Sequence, residues 1–195
     1  RPILPSLFST IAVPKFEELV ADHKRHGSAD AAETFFLDGM TRVMTRACKE
    51  SEQSVPTTIY YAFRQGEKSG DGISSTGWET FLSAVIQAGF LVDGTWPVKT
   101  ELTENLKKKW NALASSIVLV CRKRPAEAPV ATRGEFVAAL RRELPGALKL
   151  LQEGSIAPVD MAQASIGPGM AVFSRYAKVL EADDSPMSVK TALQI

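Results

Sequence analysis

Apolar positions along this chain switch repeatedly between a helical and an extended spacing, and the switches lay out an alternating α/β order. Thr57 to Phe63 is a short, nearly continuous apolar run, TTIYYAF. Its β-branched and aromatic residues predict a strand buried on both faces. Thr76 and Glu79 then form a T-x-x-E capping box, which starts a helix. Trp78, Phe81, Leu82, Val85 and Ile86 follow at i, i+3, i+4, i+7, i+8, a single apolar face. Gly89 supplies a left-handed stop. Phe90 to Lys99 reads as a second strand, with Pro97 near an edge or a bulge because it lacks an amide donor. Ala114 to Cys121 is a third strand centred on Ile117, Val118, Leu119 and Val120.

Connection rules convert this order into geometry. A strand–helix–strand unit of this length is a right-handed parallel crossover. The third strand follows a connection without a helical pattern, which predicts an antiparallel return. The linker Arg64 to Ser75 leaves the first strand and the linker Thr100 to Asn111 leaves the second. Both therefore belong at the carboxyl edge of the sheet, where open α/β sheets bind ligands.

Helical spacing recurs on either side. Phe16, Leu19 and Val20 suggest a short helical turn ending near Gly27. Ser28 caps a longer helix to about Glu50, with Phe36, Met40, Val43, Met44 and Ala47 as its packing face. Residues 1 to 14 read as an irregular arm, and Pro125 to Pro129 as a linker. Thr132 and Glu135 form a second capping box, and Pro145-Gly146 is expected to kink or split the helix it opens. The tail suggests a short helix near Met161, a turn at Gly167-Pro168-Gly169 and a last helix after Ser188. The domain expectation is a partial α/β domain over 1–125 and a helical C-terminal extension over 126–195.

Composition narrows the class without naming an activity. The chain has 195 residues, 45% hydrophobic and 23% charged, with a net charge of +1. That suits one globular core and gives no global electrostatic case for nucleic acid, so any such binding needs a local patch. No apolar run reaches the roughly 18 residues that would suggest a membrane span. RPILPSLFST lacks the pattern of a secretory signal, and Arg1 in place of Met points to a fragment or processed product. The expected location is cytoplasmic, with Cys48 and Cys121 as two buried reduced thiols.

Candidate chemistry is sparse. His23 and His26, with Asp22 nearby, have ligand-like spacing, but no further ligand completes a set, so a solvated loop is the simpler reading. Ser115 and Ser116 have no histidine placed to activate them. Gly66, Gly70 and Gly72 lie in QGEKSGDG, which lacks a phosphate-loop pattern. Lys107, Lys108, Lys109, Trp110 and Asn111 are better placed at the ligand edge. Three cations beside an aromatic and an amide can hold phosphates and stack a base, or form a solvated loop. Trp96 on the adjacent strand either walls the same pocket or packs in the core.

TTIYYAFRQ, STGWETFLSAVIQAGF, GTWPVKTE and NALASSIVLVCRKRP together resemble the large bacterial adenine-specific DNA methylases that carry a zinc-ribbon insert. FFLDGM and the run from RRELPGALKLLQEG to SPMSVKTAL are similar to the same family, so the likeness spans nearly all of the chain. The resemblance implies an AdoMet-dependent N6-adenine methyltransferase, some members standing beside anti-phage systems. It implies a Rossmann-like methyltransferase sheet whose seventh strand is antiparallel and inserted between strands five and six. Thr57–Phe63, Phe90–Lys99 and Ala114–Cys121 would then be strands five, six and seven.

The family's glycine-rich AdoMet segment, its Asp-Pro-Pro-Tyr motif and its zinc-ribbon cysteines do not occur in this sequence. The chain therefore resembles the C-terminal half of such an enzyme, inactive alone and without tight AdoMet binding. The parent would extrude the target adenine from the stack. Here Trp96, Trp110 and Asn111 are the candidates for contacting the base, and Arg64 with Lys107, Lys108 and Lys109 for the DNA backbone. No residue is assigned a catalytic or metal role. The expected partners are DNA, the N-terminal half of the same polypeptide, and a second copy through the bare edge of the first strand. The alternatives are a non-enzymatic DNA-binding or assembly module of a phage-defence complex, or methylation of RNA or protein by the same fold.

Overall fold

The computed structural model describes residues 18–61, 76–99, 115–154 and 158–195, and the fold is mixed α/β. The sequence-predicted elements appear in order. α1 (His23–His26) ends at Gly27, which adopts a left-handed φ of 82°. α2 (Ala29–Glu50) starts at Ser28, whose hydroxyl accepts the Ala31 amide. β1 (Thr57–Tyr61) leads to α3 (Thr76–Gln87), and Gly89 at φ 93° turns the chain into β2 (Phe90–Lys99). β3 (Ser115–Lys123) runs two residues beyond the expected Cys121.

These three strands form one sheet in the order β1-β3-β2, with β3 antiparallel to both neighbours. β1 and β2 are therefore co-directional and separated by the return strand. Register is continuous from Thr57↔Cys121 to Tyr61↔Ile117, and from Phe90↔Lys123 to Lys99↔Ser115 with a bulge between Val92 and Gly94. Ala62, Phe63 and Ala114, expected in these strands, lie outside the described residues.

The helices sit on one side of this sheet. α3 buries Trp78, Phe81, Leu82 and Val85 there, with Ile86 partly covered. α2 adds Met44 and Cys48, while Val43, expected on the same face, is 54% exposed. β1 is not buried on both faces. Ile59 and Tyr61 pack on the core and Thr58 and Tyr60 are exposed, because no layer of described residues covers its other side.

The C-terminal part corrects three expectations. α4 (Arg133–Glu153) carries the Thr132–Glu135 capping box and runs unbroken through Pro145. Pro145 denies an amide to the Arg141 carbonyl, and Arg141 is exposed, so water can take that amide's place in the ladder. α5 (Pro158–Ser174) likewise runs straight through Gly167-Pro168-Gly169, where the composition predicts a turn. Pro168 frees the carbonyl of Ala164 four residues back, and the buried Thr95 hydroxyl donates to that carbonyl at 3.3 Å. Gly167 lies directly against the Thr95 side chain, so its missing Cβ is what lets α5 approach β2. The tail also contains strands. β4 (Val130–Thr132) and β5 (Lys178–Leu180) pair in parallel, followed by α6 (Val189–Gln194) capped by Ser188.

One hydrophobic cluster joins the elements. Phe81, Phe90, Leu119, Phe136, Met170 and Val179 all belong to it, so α4 to α6 pack onto the sheet's core. Two polar contacts fix the seam. The fully buried Ser174 hydroxyl accepts the Val92 amide at 2.8 Å beside the bulge. The Arg124 guanidinium donates to the carbonyls of Ile86, Ser174 and Tyr176.

Candidate functional site

The rim of the sheet is built by register. Tyr61, the last residue of β1, and Pro97, near the end of β2, both face Ile117, and Lys99 faces Ser115. The carboxyl ends of β1 and β2 thus flank the start of β3, one strand apart. Arg64, Gly66, Gly70 and Gly72 follow one end, and Lys107, Lys108, Lys109, Trp110 and Asn111 follow the other. All of these lie outside the described residues.

Behind the rim stands an aromatic stack. Tyr61 lies parallel to Phe81 at 4.0 Å between centroids and near-parallel to Trp78 at 5.4 Å. Burial pushes the Tyr61 phenol above its ordinary pKa. The N-terminal halves of α2 and α3 meet where the Thr80 hydroxyl donates to the Glu33 carboxylate at 2.9 Å. Partial burial holds the neighbouring Glu79 carboxyl above its usual range, with Lys190 opposing and Glu33 reinforcing the shift. Glu79 sits in the first turn of α3, where negative charge is favoured.

Trp96 does not pack in the core, and the linker with which it would wall a pocket lies outside the described residues. Trp96 lies within β2, is 59% exposed, and folds its ring over Gly94 on the face of the sheet away from the helices. Tyr60, 70% exposed, and Trp96 both pair with Val118, so Tyr60, Val118 and Trp96 form one row across that face. An Arg122–Asp93 ion pair at 3.1 Å closes the end of the face opposite the rim. An exposed aromatic row of this kind can stack on planar rings or bury against an apolar layer.

The remaining candidates resolve simply. His23 and His26 lie on α1 rather than in a loop; His26 stacks on Phe35 at 4.2 Å. No cluster of three or more metal-ligating side chains occurs among the described residues. Ser116 is buried within β3. Cys48 and Cys121 are free and buried, and burial pushes the Cys121 thiol up to about 12. No helix among the described residues is long and apolar enough to cross a membrane.

One feature is not brought out by apolar periodicity. Arg42, Arg46 and Lys49, with Thr45 and Glu50, line an open cleft of about 600 Å³ on α2. Their i, i+4, i+7 spacing is visible in the sequence, on the side of α2 away from its packing face. No family model, no curated protein and no solved structure matches the chain.

Proposed function

We propose that this chain is the C-terminal part of an AdoMet-dependent adenine-N6 DNA methyltransferase and does not transfer methyl groups alone. The observation that carries the reading is the strand order β1-β3-β2 with β3 antiparallel. It is the order that the resemblance implies for strands five, seven and six of a Rossmann-like methyltransferase sheet. A second support is the asymmetry of the sheet's two edges. β2 carries a bulge, Pro97 and Lys99, features that keep an edge from recruiting strands. β1 is TTIYY, with no charge, proline or bulge. Such an edge suits a further strand, and Tyr60, Val118 and Trp96 suit a covering layer. The N-terminal half of the same polypeptide would supply both, together with the AdoMet segment and the Asp-Pro-Pro-Tyr motif.

The second reading is a non-enzymatic DNA-binding or assembly module, which the lack of that motif would favour only if these 195 residues were the complete natural product. One experiment separates the two. The chain, and the same chain joined to whatever its gene encodes ahead of Arg1, are incubated with AdoMet and duplex DNA. N6-methyladenine is then measured by mass spectrometry. The longer polypeptide is expected to methylate and the chain alone is not. A longer polypeptide that neither carries the motif nor methylates overturns the proposal.

A further inference from the structure

We infer that the C-terminal half of α2 is a docking strip for the phosphate backbone of duplex nucleic acid, through Arg42, Arg46 and Lys49. At i, i+4, i+7 the three side chains share one side of the helix, opposite the buried Met44. All three residues are exposed. Among the other described arginines, Arg25, Arg122, Arg133, Arg142 and Arg175 each meet a carboxylate and Arg124 donates to three carbonyls, while Arg141 stands alone on α4, exposed and without an ion pair. None of Arg42, Arg46 and Lys49 is in an ion pair among the described residues. Asp38 stands one turn before Arg42 and Glu50 one turn after Arg46, yet neither closes a bridge.

The helix dipole does not explain the strip. It favours cations within the last turn, and only Lys49 lies there. Arg42 and Arg46 sit further in. The spacing suits a polyanion better. Seven residues of helix advance about 10.5 Å, and one strand of a duplex presents about three phosphates over that length of its axis. Three cations therefore meet three phosphates. A small phosphate ligand needs donors converging on an enclosed point, whereas this row is linear and open. An anionic membrane needs a broad apolar face beside the cations, and the strip's exposed apolar neighbour is Val43. α2 ends just before the start of β1, so the strip lies away from the rim and does not depend on the methyl-transfer reading.

The test is fluorescence anisotropy with a short labelled duplex of arbitrary sequence over a salt series. Arg42→Gln/Arg46→Gln/Lys49→Gln removes three charges while keeping good helix formers. The plot of log affinity against log salt should become shallower by about 2.7, or 0.9 for each phosphate that is no longer neutralised. Affinity at ~0.1 M salt should fall about a hundredfold. Arg42→Lys/Arg46→Lys should keep the slope. Arg141→Gln/Lys178→Gln/Lys190→Gln, which removes the same charge from other exposed sites, should also keep it. An unchanged slope in the first variant, an equal loss in the control, or preference for anionic vesicles or polyglutamate over duplex overturns the inference. Each of these outcomes leaves the methylation assay unaffected.

Discussion

Replacing Arg124 with alanine should destabilise the chain far more than removal of an ordinary half-exposed arginine. Arg124 follows β3, and its own amide is tied to the Gly89 carbonyl at 2.9 Å. Its guanidinium donates to Ile86 at the end of α3 at 3.2 Å, and to Ser174 and Tyr176 at the end of α5 at 3.4 and 3.3 Å. Those carbonyls lie where a helix leaves its last acceptors unsatisfied. One planar fork therefore holds two helix ends against one strand. Hydrogen bonds to a charged donor contribute about 1.5–3 kcal/mol each. These three are long and half-buried, and water can replace part of each, so the expected loss is about 2–4 kcal/mol in total. For a chain of this size that lowers Tm by roughly 5–15 °C. Lysine, a point charge without the fork, should recover less than half. Urea denaturation of the wild type, Arg124→Ala and Arg124→Lys measures this, with an unchanged m-value confirming that only stability moved. An alanine variant within about 0.5 kcal/mol of wild type, or a lysine variant as stable as wild type, would refute the reasoning.

Three further outcomes follow from the packing. Gly167→Ala should destabilise by about 2 kcal/mol, because its new Cβ overlaps Thr95; a helix free of β2 would instead gain about 1 kcal/mol from the substitution, so the sign in a thermal melt decides. Cys121 keeps its proton in the folded state up to about pH 12, whereas an unfolded thiol ionises near 8.5. Its contribution to stability is therefore complete below about pH 8.5 and lost as pH rises toward 12, and native chain should resist a thiol reagent at pH 8 until it is unfolded. The outer edge of β1, unpaired among the described residues, should make the isolated chain self-associate, and Thr58→Lys/Tyr60→Lys should suppress this; light scattering that shows a strict monomer for the wild type at its highest soluble concentration would refute it.

Elements governed by local chemistry were legible in the sequence. The Ser28 cap, the Trp78–Ile86 stripe closed by Gly89, and the Thr132–Glu135 box all appear where the residues put them. Positions that local pattern misreads are those decided by a distant partner. Gly167-Pro168-Gly169 has the composition of a turn, and it is helical because Thr95 accepts the close approach and satisfies the carbonyl that the proline frees. β4 and β5 are three residues each and exist only through pairing across almost fifty residues of chain. Tyr60 and Trp96 look unrelated until the register sets both beside Val118. The Arg42, Arg46, Lys49 strip is present in the spacing, on the side of α2 that an apolar periodicity does not inspect.

The shared rim stands or falls on which strand lies between which, and cross-strand nuclear Overhauser contacts in a deuterated sample read this directly. Val118 should contact both Tyr60 and Trp96, Leu119 should contact both Ile59 and Thr95, and Phe90 should sit opposite Lys123. Direct backbone contacts between Tyr60 and Trp96, or Phe90 opposite Ser115 with Lys99 opposite Lys123, would contradict the account. The last pattern would send the two strand exits to opposite ends of the sheet and remove the basis for a methyltransferase rim.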